Sequence, residues 1–289
     1  MEPQKKLLMI VNPRAGRSRP RGPLYDAAAA FCDAGYLLSI RRTAAAEESG
    51  AGYDTVVAVG GDGTLNEVIS GLQTLPHPPA VGYLPQGSTN DFAASLKIPA
   101  DPFRAAAAIV RGKTRQLDIG CFGERLFVYV ASFGAFTRTS YAASQDMKNV
   151  LGHFGYLLEG IRDLDTLRPY SVRITADGEK LDGDYLFGAV ANSTSIAGMM
   201  KLEGEQVVLD DGRFELLLIP NPKNVLELQN LIWALLNQQY DAGGLIFRHV
   251  TSLHVETDQE LPWSLDGEYE PSRPAVDITN CQRALTMLL

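Results

Sequence analysis

The first 112 residues alternate short apolar runs with stretches whose apolar residues recur at helical spacing. The strand-like runs are residues 7–11, 36–41, 55–59 and 80–84, and the helix-like stretches are residues 24–34 and 65–72. A further helix is predicted over residues 101–112, because Asp101 is a typical N-cap, Pro102 suits a first turn and Gly112 suits a helix end. Strands that alternate with helices predict a parallel sheet covered by helices.

From about residue 115 the pattern changes to pairs of short strands. Residues 116–121 and 126–132 flank one turn, and residues 171–175 and 185–190 flank a loop containing Asp177 and Gly178, so antiparallel sheet is predicted. Two helices are expected in this part, over residues 145–167 and 225–239. We place the domain boundary in the linker-like stretch near residues 113–118. The prediction is one domain of residues 1–117 and another of residues 118–279, with residues from about 280 to 289 expected to return to the first.

The composition is that of an ordinary folded protein with an acidic balance. In 289 residues, 26 Lys and Arg stand against 34 Asp and Glu, a formal charge of −8 that argues against nucleic-acid binding. Arginines nevertheless cluster in the segment Arg14, Arg17, Arg19 and Arg21, with Arg41 and Arg42 further along. Such a cluster suits phosphate or an anionic membrane, and it is equally typical of a solvated loop.

The cysteines and the apolar stretches bear on where the protein works. Three cysteines, Cys32, Cys121 and Cys281, lie far apart without a CxxC pair, and their odd number argues against a disulfide framework and for a reducing cytoplasm. The first apolar run stops at Asn12-Pro13 after five residues, which is typical of a strand rather than a signal peptide. No stretch approaches the roughly 20 apolar residues that span a bilayer, so any membrane contact is expected to be peripheral.

The strongest chemical signal is the glycine-rich turn Gly60-Gly61-Asp62-Gly63-Thr64, which follows a buried strand and opens a helix. Glycines let backbone amides approach a phosphate, and a helix N-terminus favours negative charge. Because two anions repel, Asp62 suits a bridging Mg²⁺ better than direct phosphate contact. The alternative is a tight turn in which Asp62 is a structural cap.

Two further turns are predicted at the same carboxyl edge of the sheet, where open α/β sheets bind ligands. One is the segment Gly87-Ser88-Thr89-Asn90-Asp91-Phe92 after the strand of residues 80–84, and the other is Asn12-Pro13-Arg14-Ala15-Gly16 after the first strand. The chain lacks a P-loop, since Ala107 stands where the first glycine before Gly112-Lys113-Thr114 is needed. It also lacks a GxGxxG fingerprint, which removes the main support for hydride chemistry.

These three segments, in their order along the chain, resemble the diacylglycerol kinase catalytic family, and the resemblance to a soluble bacterial lipid kinase runs over essentially the whole chain. It implies a three-layer α/β nucleotide-binding domain, like that of NAD kinases and diacylglycerol kinases, followed by a C-terminal β-sandwich domain, with ATP and Mg²⁺ as cofactors. The nucleotide-binding residues it implies are Asn12, Pro13, Arg14, Ala15, Gly16, Thr43, Gly61, Asp62, Gly63, Thr64, Leu65, Asn66, Glu67, Gly87, Ser88 and Asn90.

The resemblance also assigns roles to acids. Glu268, in Asp266-Gly267-Glu268, matches the Glu regarded as the base that activates the lipid hydroxyl; a second triplet, Asp177-Gly178-Glu179, is the competing site. In similar kinases the acids matching Asp62, Asp91, Asp118 and Glu268 form a carboxylate and Mg²⁺ network. The alternative for Asp118, an acid in an apolar strand, is an exposed position on an edge strand.

A structural Mg²⁺ in similar enzymes uses an Asp and two backbone carbonyls, which map to Asp211, Val208 and Arg213. Two departures stand out: Ala197 replaces a usual glycine, and Ser88 a usual Thr. The first leaves loop geometry and lipid selectivity open.

The function that follows is a cytoplasmic lipid kinase, peripheral at the inner face of the membrane, that phosphorylates diacylglycerol or a similar lipid to give phosphatidic acid. Alternatives are a kinase for a sphingoid base or NAD, and a silent nucleotide-binding regulator. A homodimer is a possible assembly, since exposed sheet edges often pair. For the helix over residues 225–239, packing against the sandwich is favoured over a membrane-facing role.

Overall fold

The computed structural model describes residues 4–15, 22–43, 50–87, 90–134, 168–196, 200–201, 207–240 and 242–289. The chain divides into two compact units: Met1–Leu117 with Arg283–Leu289, and Asp118–Gln282. The helix predicted over residues 145–167 lies outside the described residues, as do Gly16, Arg17, Arg19, Arg21, Ser88 and Ala197.

The N-terminal unit contains the predicted parallel sheet. Its strands are β1 (Lys6–Val11), β2 (Leu37–Arg42), β3 (Thr55–Gly60) and β4 (Ala80–Pro85), and its helices are α1 (Gly22–Asp33), α2 (Asp62–Leu72), α3 (Asp91–Ser95) and α4 (Pro102–Arg111). The strands follow the order β4-β3-β1-β2 and each adjacent pair is parallel. Both predicted caps of α4 are present, since Asp101 accepts the Arg104 N–H and Gly112 adopts a left-handed conformation.

Helices cover both faces of this sheet. Phe31 of α1 and Ile109 of α4 pack with Leu7 and Val57 in one cluster. Alternate strand residues such as Val56 point to the other face and are equally buried, and α2 packs against β3. The N-terminal unit is therefore the three-layer α/β arrangement expected.

The C-terminal unit is built from antiparallel strands. Its elements are β5 (Thr114–Phe122, which begins in the first unit), β6 (Arg125–Phe127), β7 (Val130–Gly134), β8 (Tyr170–Ala176), β9 (Glu179–Lys180), β10 (Gly183–Ala191), β11 (Ser195–Ile196), β12 (Met200–Lys201), β13 (Phe214–Pro220), α5 (Val225–Leu236), β14 (Ile246–Val250), β15 (Ser252–Glu256), β16 (Trp263–Leu265), β17 (Glu268–Glu270) and β18 (Ala275–Leu288). An aromatic-rich core holds this unit together: Trp263 meets Phe122 and Phe133 edge-on, and Phe127 packs on Phe214.

The prediction of one continuous strand over residues 126–132 is wrong, because the structure has two strands with a break between them. β6 ends at Phe127 and β7 begins at Val130. The amide N–H groups at the break, of Val128 and Tyr129, donate to the side chain of Asp266 at 2.6 and 3.0 Å instead of to a neighbouring strand.

The expectation from the cysteine count is also wrong, because Cys121 and Cys281 form a disulfide. β5 pairs with β18, and this brings two cysteines 160 positions apart in sequence to a Cα–Cα distance of 6.7 Å. An odd count leaves one cysteine over, the exposed Cys32, but does not prevent a single pair.

The last strand belongs to both units. From Ala275 to Thr279, β18 pairs with β15 antiparallel; beyond Arg283, which has a positive φ of 53°, Met287 pairs with Val81 of β4 in parallel. The returning segment is fixed by bonds from Gln73 Nε2 to the Ala284 carbonyl (2.8 Å) and from the Leu289 N–H to the Lys113 carbonyl (2.9 Å). No helix in the described part of the chain is long and apolar enough to cross a membrane.

Candidate active site

Two glycine-rich turns meet at the carboxyl ends of β3 and β4. The Gln86 N–H donates to the Gly60 carbonyl at 2.6 Å, and a Cβ atom added to Gly87 would lie 2.6 Å from the Cα of Gly61. A side chain at residue 87 would therefore force the turns apart. Gly61 is the N-cap of α2 and has no side chain to cap it, so the first helical turn begins without a side-chain cap, as in helix N-termini that bind anions.

The second turn is closed by Asn90, which has a φ of 52°. Its Oδ1 accepts the Gly87 N–H at 2.8 Å, and its Nδ2 donates to the Gly87 carbonyl at 2.9 Å. This ring of two hydrogen bonds sets the conformation from which α3 begins at Asp91. The positions of Gly87, Asn90 and Asp91 are therefore fixed together.

The Asp62 carboxyl joins the two turns. Its Oδ2 accepts the Asp91 N–H at 2.9 Å, and the Tyr83 hydroxyl lies 3.4 Å from its Oδ1. Burial raises the pKa of Asp62 to about 6, although the Asp91 amide favours the ionised form. Burial also raises the pKa of Asp91. A half-buried carboxyl group beside the first amides of a helix has the chemistry of a group that works with a cation and a phosphate.

The third turn reaches the same place through Asn12. Its N–H donates to the Val59 carbonyl (3.0 Å), its Nδ2 to the Thr64 hydroxyl oxygen (2.9 Å), and its Oδ1 accepts the Arg14 N–H (2.9 Å). Pro13 and Arg14 are exposed beside it.

The remaining nucleotide-site predictions fall on or near these turns. Gly63, Asn66 and Glu67 lie in the first turns of α2, and Thr43 follows β2 at the same edge. Leu65 differs from them: its side chain is in the core and its N–H donates to the Gly61 carbonyl.

Asp118 lies in the C-terminal unit and is completely buried, which excludes the exposed edge-strand alternative. Its Oδ2 accepts the Gly212 N–H at 2.6 Å, its N–H donates to the Leu209 carbonyl at 2.8 Å, and its carbonyl accepts from Asn192 at 2.7 Å. The acid is thus tied to the loop that was predicted to bind Mg²⁺.

That loop has features of a cation site. Asp211 accepts the Arg213 N–H at 2.9 Å, and Val208 is exposed. Close by, Glu215 is 1% exposed; burial, followed by the charges of Asp211 and Asp118, raises its pKa to about 8. Within the described chain, Glu215 Oε2 and Asn192 Oδ1 are buried without a hydrogen-bond partner.

Two orphaned buried oxygens beside Asp118 and Asp211 fit a bound cation or ordered water. No cluster of three or more His, Cys, Asp or Glu side chains suited to a metal occurs among the described residues, so the fit is to one carboxylate plus carbonyl oxygens. Sequence reasoning missed Glu215, although its signal, an acid opening an apolar strand, is the one that identified Asp118.

The two Asp-Gly-Glu triplets form the same kind of turn but present their glutamates differently. Asp177 and Gly178 have φ values of 45° and 88°, and Asp266 and Gly267 have 50° and 87°. Arg248 donates to both carboxylate oxygens of Glu179 at 3.2 Å, whereas Glu268 is exposed on β17. Glu179 is therefore engaged in a surface ion pair, which favours Glu268 over Glu179 as the candidate base.

The structure thus brings Asn12, Gly61, Asp62, Thr64, Gly87, Asn90 and Asp91 together in the N-terminal unit. In the C-terminal unit it brings Asp118 to the loop of Asp211.

Comparisons with known proteins agree with this architecture. Residues 6–122 match the family model described as the diacylglycerol kinase catalytic domain, and residues 130–288 match the YegS C-terminal NAD kinase beta sandwich-like domain.

Similar proteins match over nearly the whole chain. The diacylglycerol kinase of Bacillus subtilis (strain 168) is 31% identical over 294 residues, which cover 99% of this chain and 96% of the relative. That of Staphylococcus aureus (strain MRSA252) is 32% identical over 281 residues, covering 94% of this chain and 89% of the relative. A crystal structure of a diacylglycerol kinase from Bacillus anthracis str. Sterne shares the fold, with a TM-score of 0.77 at 23% identity over 100% of this chain and 98% of that one. This chain belongs to the diacylglycerol kinase family.

Proposed function

We propose that the protein transfers the γ-phosphate of ATP to a lipid hydroxyl, with diacylglycerol as the acceptor and phosphatidic acid as the product. The observation that carries the proposal is the meeting of two glycine-rich turns at the Asp62 carboxyl. The names of the relatives in Bacillus subtilis and Staphylococcus aureus support the choice of acceptor.

The turns would seat the phosphates of ATP. The amides at the start of α2 and the positive end of its dipole lie at this edge of the sheet, where they would attract the phosphates. Asn12 and Asn90 hold the neighbouring backbone in place through side-chain hydrogen bonds. The nucleotide is then positioned by backbone rather than by long flexible side chains, which suits a reaction that depends on alignment.

Asp62 would hold a Mg²⁺ ion at the phosphates, and Asp211 with the Val208 and Arg213 carbonyls would hold a second one in the C-terminal unit. When bound at the phosphates, Mg²⁺ supplies positive charge that offsets the charge on the transferred group. Asp62 itself is kept in place by the Asp91 amide.

Glu268 would accept the proton of the lipid hydroxyl. As the hydroxyl oxygen forms its bond to the γ-phosphorus, the bond from that phosphorus to the bridging oxygen of ADP breaks, and the proton passes to the Glu268 carboxylate. The exposure of Glu268 leaves its oxygens available for this step.

We also infer that the protein works as a peripheral protein at a membrane surface. One face of α5 is buried through residues such as Leu231 and Leu235, in agreement with core packing. The other face exposes apolar side chains, namely Val225, Leu226, Trp233 and Leu236. A helix that is apolar on its exposed face suits contact with a lipid interface.

The test is Mg²⁺-dependent transfer of labelled phosphate from ATP to a panel of mixed-micelle lipids, with a sphingoid base and NAD beside them. We expect transfer to diacylglycerol, and a loss of more than about 100-fold in Glu268→Gln. Glu179→Gln is the matched control and should keep the wild-type rate. Transfer to NAD without lipid, or nucleotide binding without any transfer, would overturn the proposal in favour of another kinase or a silent regulator.

A further inference from the structure

The hairpin that carries Glu268 is held to the C-terminal unit through Asp266. This side chain is buried, and its Oδ2 accepts the Val128 N–H at 2.6 Å while its Oδ1 accepts the N–H groups of Tyr129 and Val130 at 3.0 Å each. The Asp266 N–H in turn donates to the Val130 carbonyl at 2.8 Å. Four hydrogen bonds therefore join one residue to one short segment of chain.

The turn leaves little freedom between Asp266 and Glu268. Leu265 and Glu268 are paired across the hairpin, and the two residues between them both have positive φ. That conformation is typical of a two-residue type I′ turn, in which the second position strongly favours glycine. The backbone of Glu268 is thus placed by the anchor of Asp266 and the geometry of Gly267.

The far end of β17 is anchored as well. Glu270 has a buried side chain that pairs with Arg125 and, at 2.7 Å, with Arg273. Between the two buried carboxylates, Glu268 and Tyr269 are exposed. The hairpin therefore presents Glu268 from a backbone held on both sides.

We propose that Asp266 is a positioning residue for Glu268: by accepting three consecutive amides of residues 128–130, it fixes the place from which Glu268 takes the substrate proton. The inference rests on the proposed role of Glu268 and goes beyond it. This role of Asp266 also explains the break between β6 and β7, because in a continuous strand those amides would form hydrogen bonds within the sheet.

The Asp177 hairpin supplies an internal comparison. Asp177 accepts the Thr251 and Ser252 N–H groups at 2.8 and 2.9 Å, so it also pins its turn to a neighbouring strand. Asp177 is exposed and the glutamate after it pairs with Arg248. Equivalent substitutions at Asp177 and Gly178 therefore make the same change to the same kind of turn, but in a hairpin that does not carry Glu268.

The first variant is Asp266→Asn, with Asp177→Asn as its control. Asn keeps one oxygen for two of the amides but turns an NH₂ group toward the third, so the anchor is weakened without a change of shape. For the folded protein we expect kcat to fall about 10- to 100-fold while KM for ATP stays within about twofold, because the nucleotide turns are untouched. Asp177→Asn should leave kcat unchanged.

The double variant Asp266→Asn/Glu268→Gln shows whether Asp266 acts through Glu268. If it does, the double variant is no more than about twofold slower than Glu268→Gln alone. A further loss as large as that of Asp266→Asn by itself, or a wild-type kcat in Asp266→Asn, would overturn the proposal. Full activity of Glu268→Gln would overturn the base assignment and this proposal together, and that outcome is recognisable from the single variant.

If Asp266→Asn does not fold, Gly267→Ala tests whether this hairpin positions Glu268. A methyl group at Gly267 or at Gly178 meets no atom within 4 Å, so both Ala variants fit sterically and only strain their turns. Loss of kcat in Gly267→Ala with normal kcat in Gly178→Ala supports the positioning of Glu268 by this hairpin. Equal kcat values in the two Ala variants would overturn it.

Discussion

The Tyr83 hydroxyl is a polar group that the sequence pattern does not indicate, because an aromatic residue in an apolar strand is typical of a core. In the structure it lies 3.2 Å from the Gly60 carbonyl oxygen, 3.3 Å from Asn90 Oδ1 and 3.4 Å from Asp62 Oδ1. One hydroxyl hydrogen can serve only one of these acceptors at a time. Tyr83 therefore links both glycine-rich turns to the strand beneath them.

We expect Tyr83→Phe to raise KM for ATP several-fold, because the two turns lose a shared hydrogen-bond donor. The loss of folding stability should be about 1 kcal/mol. Tyr185→Phe is the matched control: its buried hydroxyl donates to the Leu181 carbonyl at 2.9 Å in the other unit, so it should lose similar stability. Steady-state kinetics and urea unfolding separate the two effects, and an unchanged KM in Tyr83→Phe would contradict this role.

Residue chemistry in the candidate site could be predicted where a turn motif was distinctive or where a residue type was unusual for its surroundings. Asp62 stood out as the acid in a glycine-rich turn and Asp118 as an acid in an apolar strand, and the structure places both with hydrogen-bond partners. Glu215 carried the same signal and was missed. Tyr83 carried none, since its hydroxyl matters only through residues that the fold brings to it.

At the scale of elements, the hairpin of β8 and β9 depends on the ionised Asp177 carboxylate. Although partial burial acts in the opposite direction, hydrogen bonds from Thr251 and Ser252 lower the pKa of Asp177. A lowered pKa means that the stabilisation is present at neutral pH and is lost as the pH falls through the folded-state pKa.

We therefore expect Asp177→Asn to reduce the free energy of unfolding by about 1 kcal/mol at pH 7, a modest effect because the group is exposed. The difference between the variant and the wild type should shrink as the pH falls below about 4. Urea unfolding across this pH range measures it. A difference that persists undiminished at pH 3 would show that the carboxylate charge is not its source.

The strands show what local pattern can and cannot predict. The short apolar runs predicted β1, β3 and β4 within about a residue of their observed bounds, because a strand buried on both faces is apolar at almost every position. The break between β6 and β7 could not be predicted, because it is caused by a carboxylate more than 100 residues further along the chain. The pairing of Cys121 with Cys281 has the same kind of distant cause.

At the scale of the whole molecule, we expect the exposed face of α5 to govern access to lipid. Leu226→Ser/Trp233→Ser should weaken binding to vesicles that contain diacylglycerol and raise the apparent KM for lipid, while KM for ATP stays unchanged. Tyr25→Ser, at an exposed position on α1, is the control and should bind vesicles normally. Equal vesicle binding by all three proteins would argue against α5 as the contact.

The N-terminal unit needs the end of the chain. Leu285 and Met287 are buried in it, and Met287 pairs with Val81 of β4. A fragment of residues 1–122, which includes the whole match to the catalytic-domain family, lacks that strand. We expect the fragment to unfold without cooperativity in urea, and the same fragment joined to residues 283–289 by a flexible linker to unfold cooperatively. Cooperative unfolding of the fragment alone would contradict this.

The same topology constrains how the protein is made. On the ribosome, β4 emerges early but its neighbour in β18 arrives only after residues 118–282 have been synthesised. At about 5–20 residues per second this delay is roughly 10–40 s. During that time β4 has an unpaired edge, so the nascent chain carries an aggregation-prone strand that a chaperone could shield. Nucleotide-binding competence is therefore expected to appear only after β18 has emerged and paired with β4.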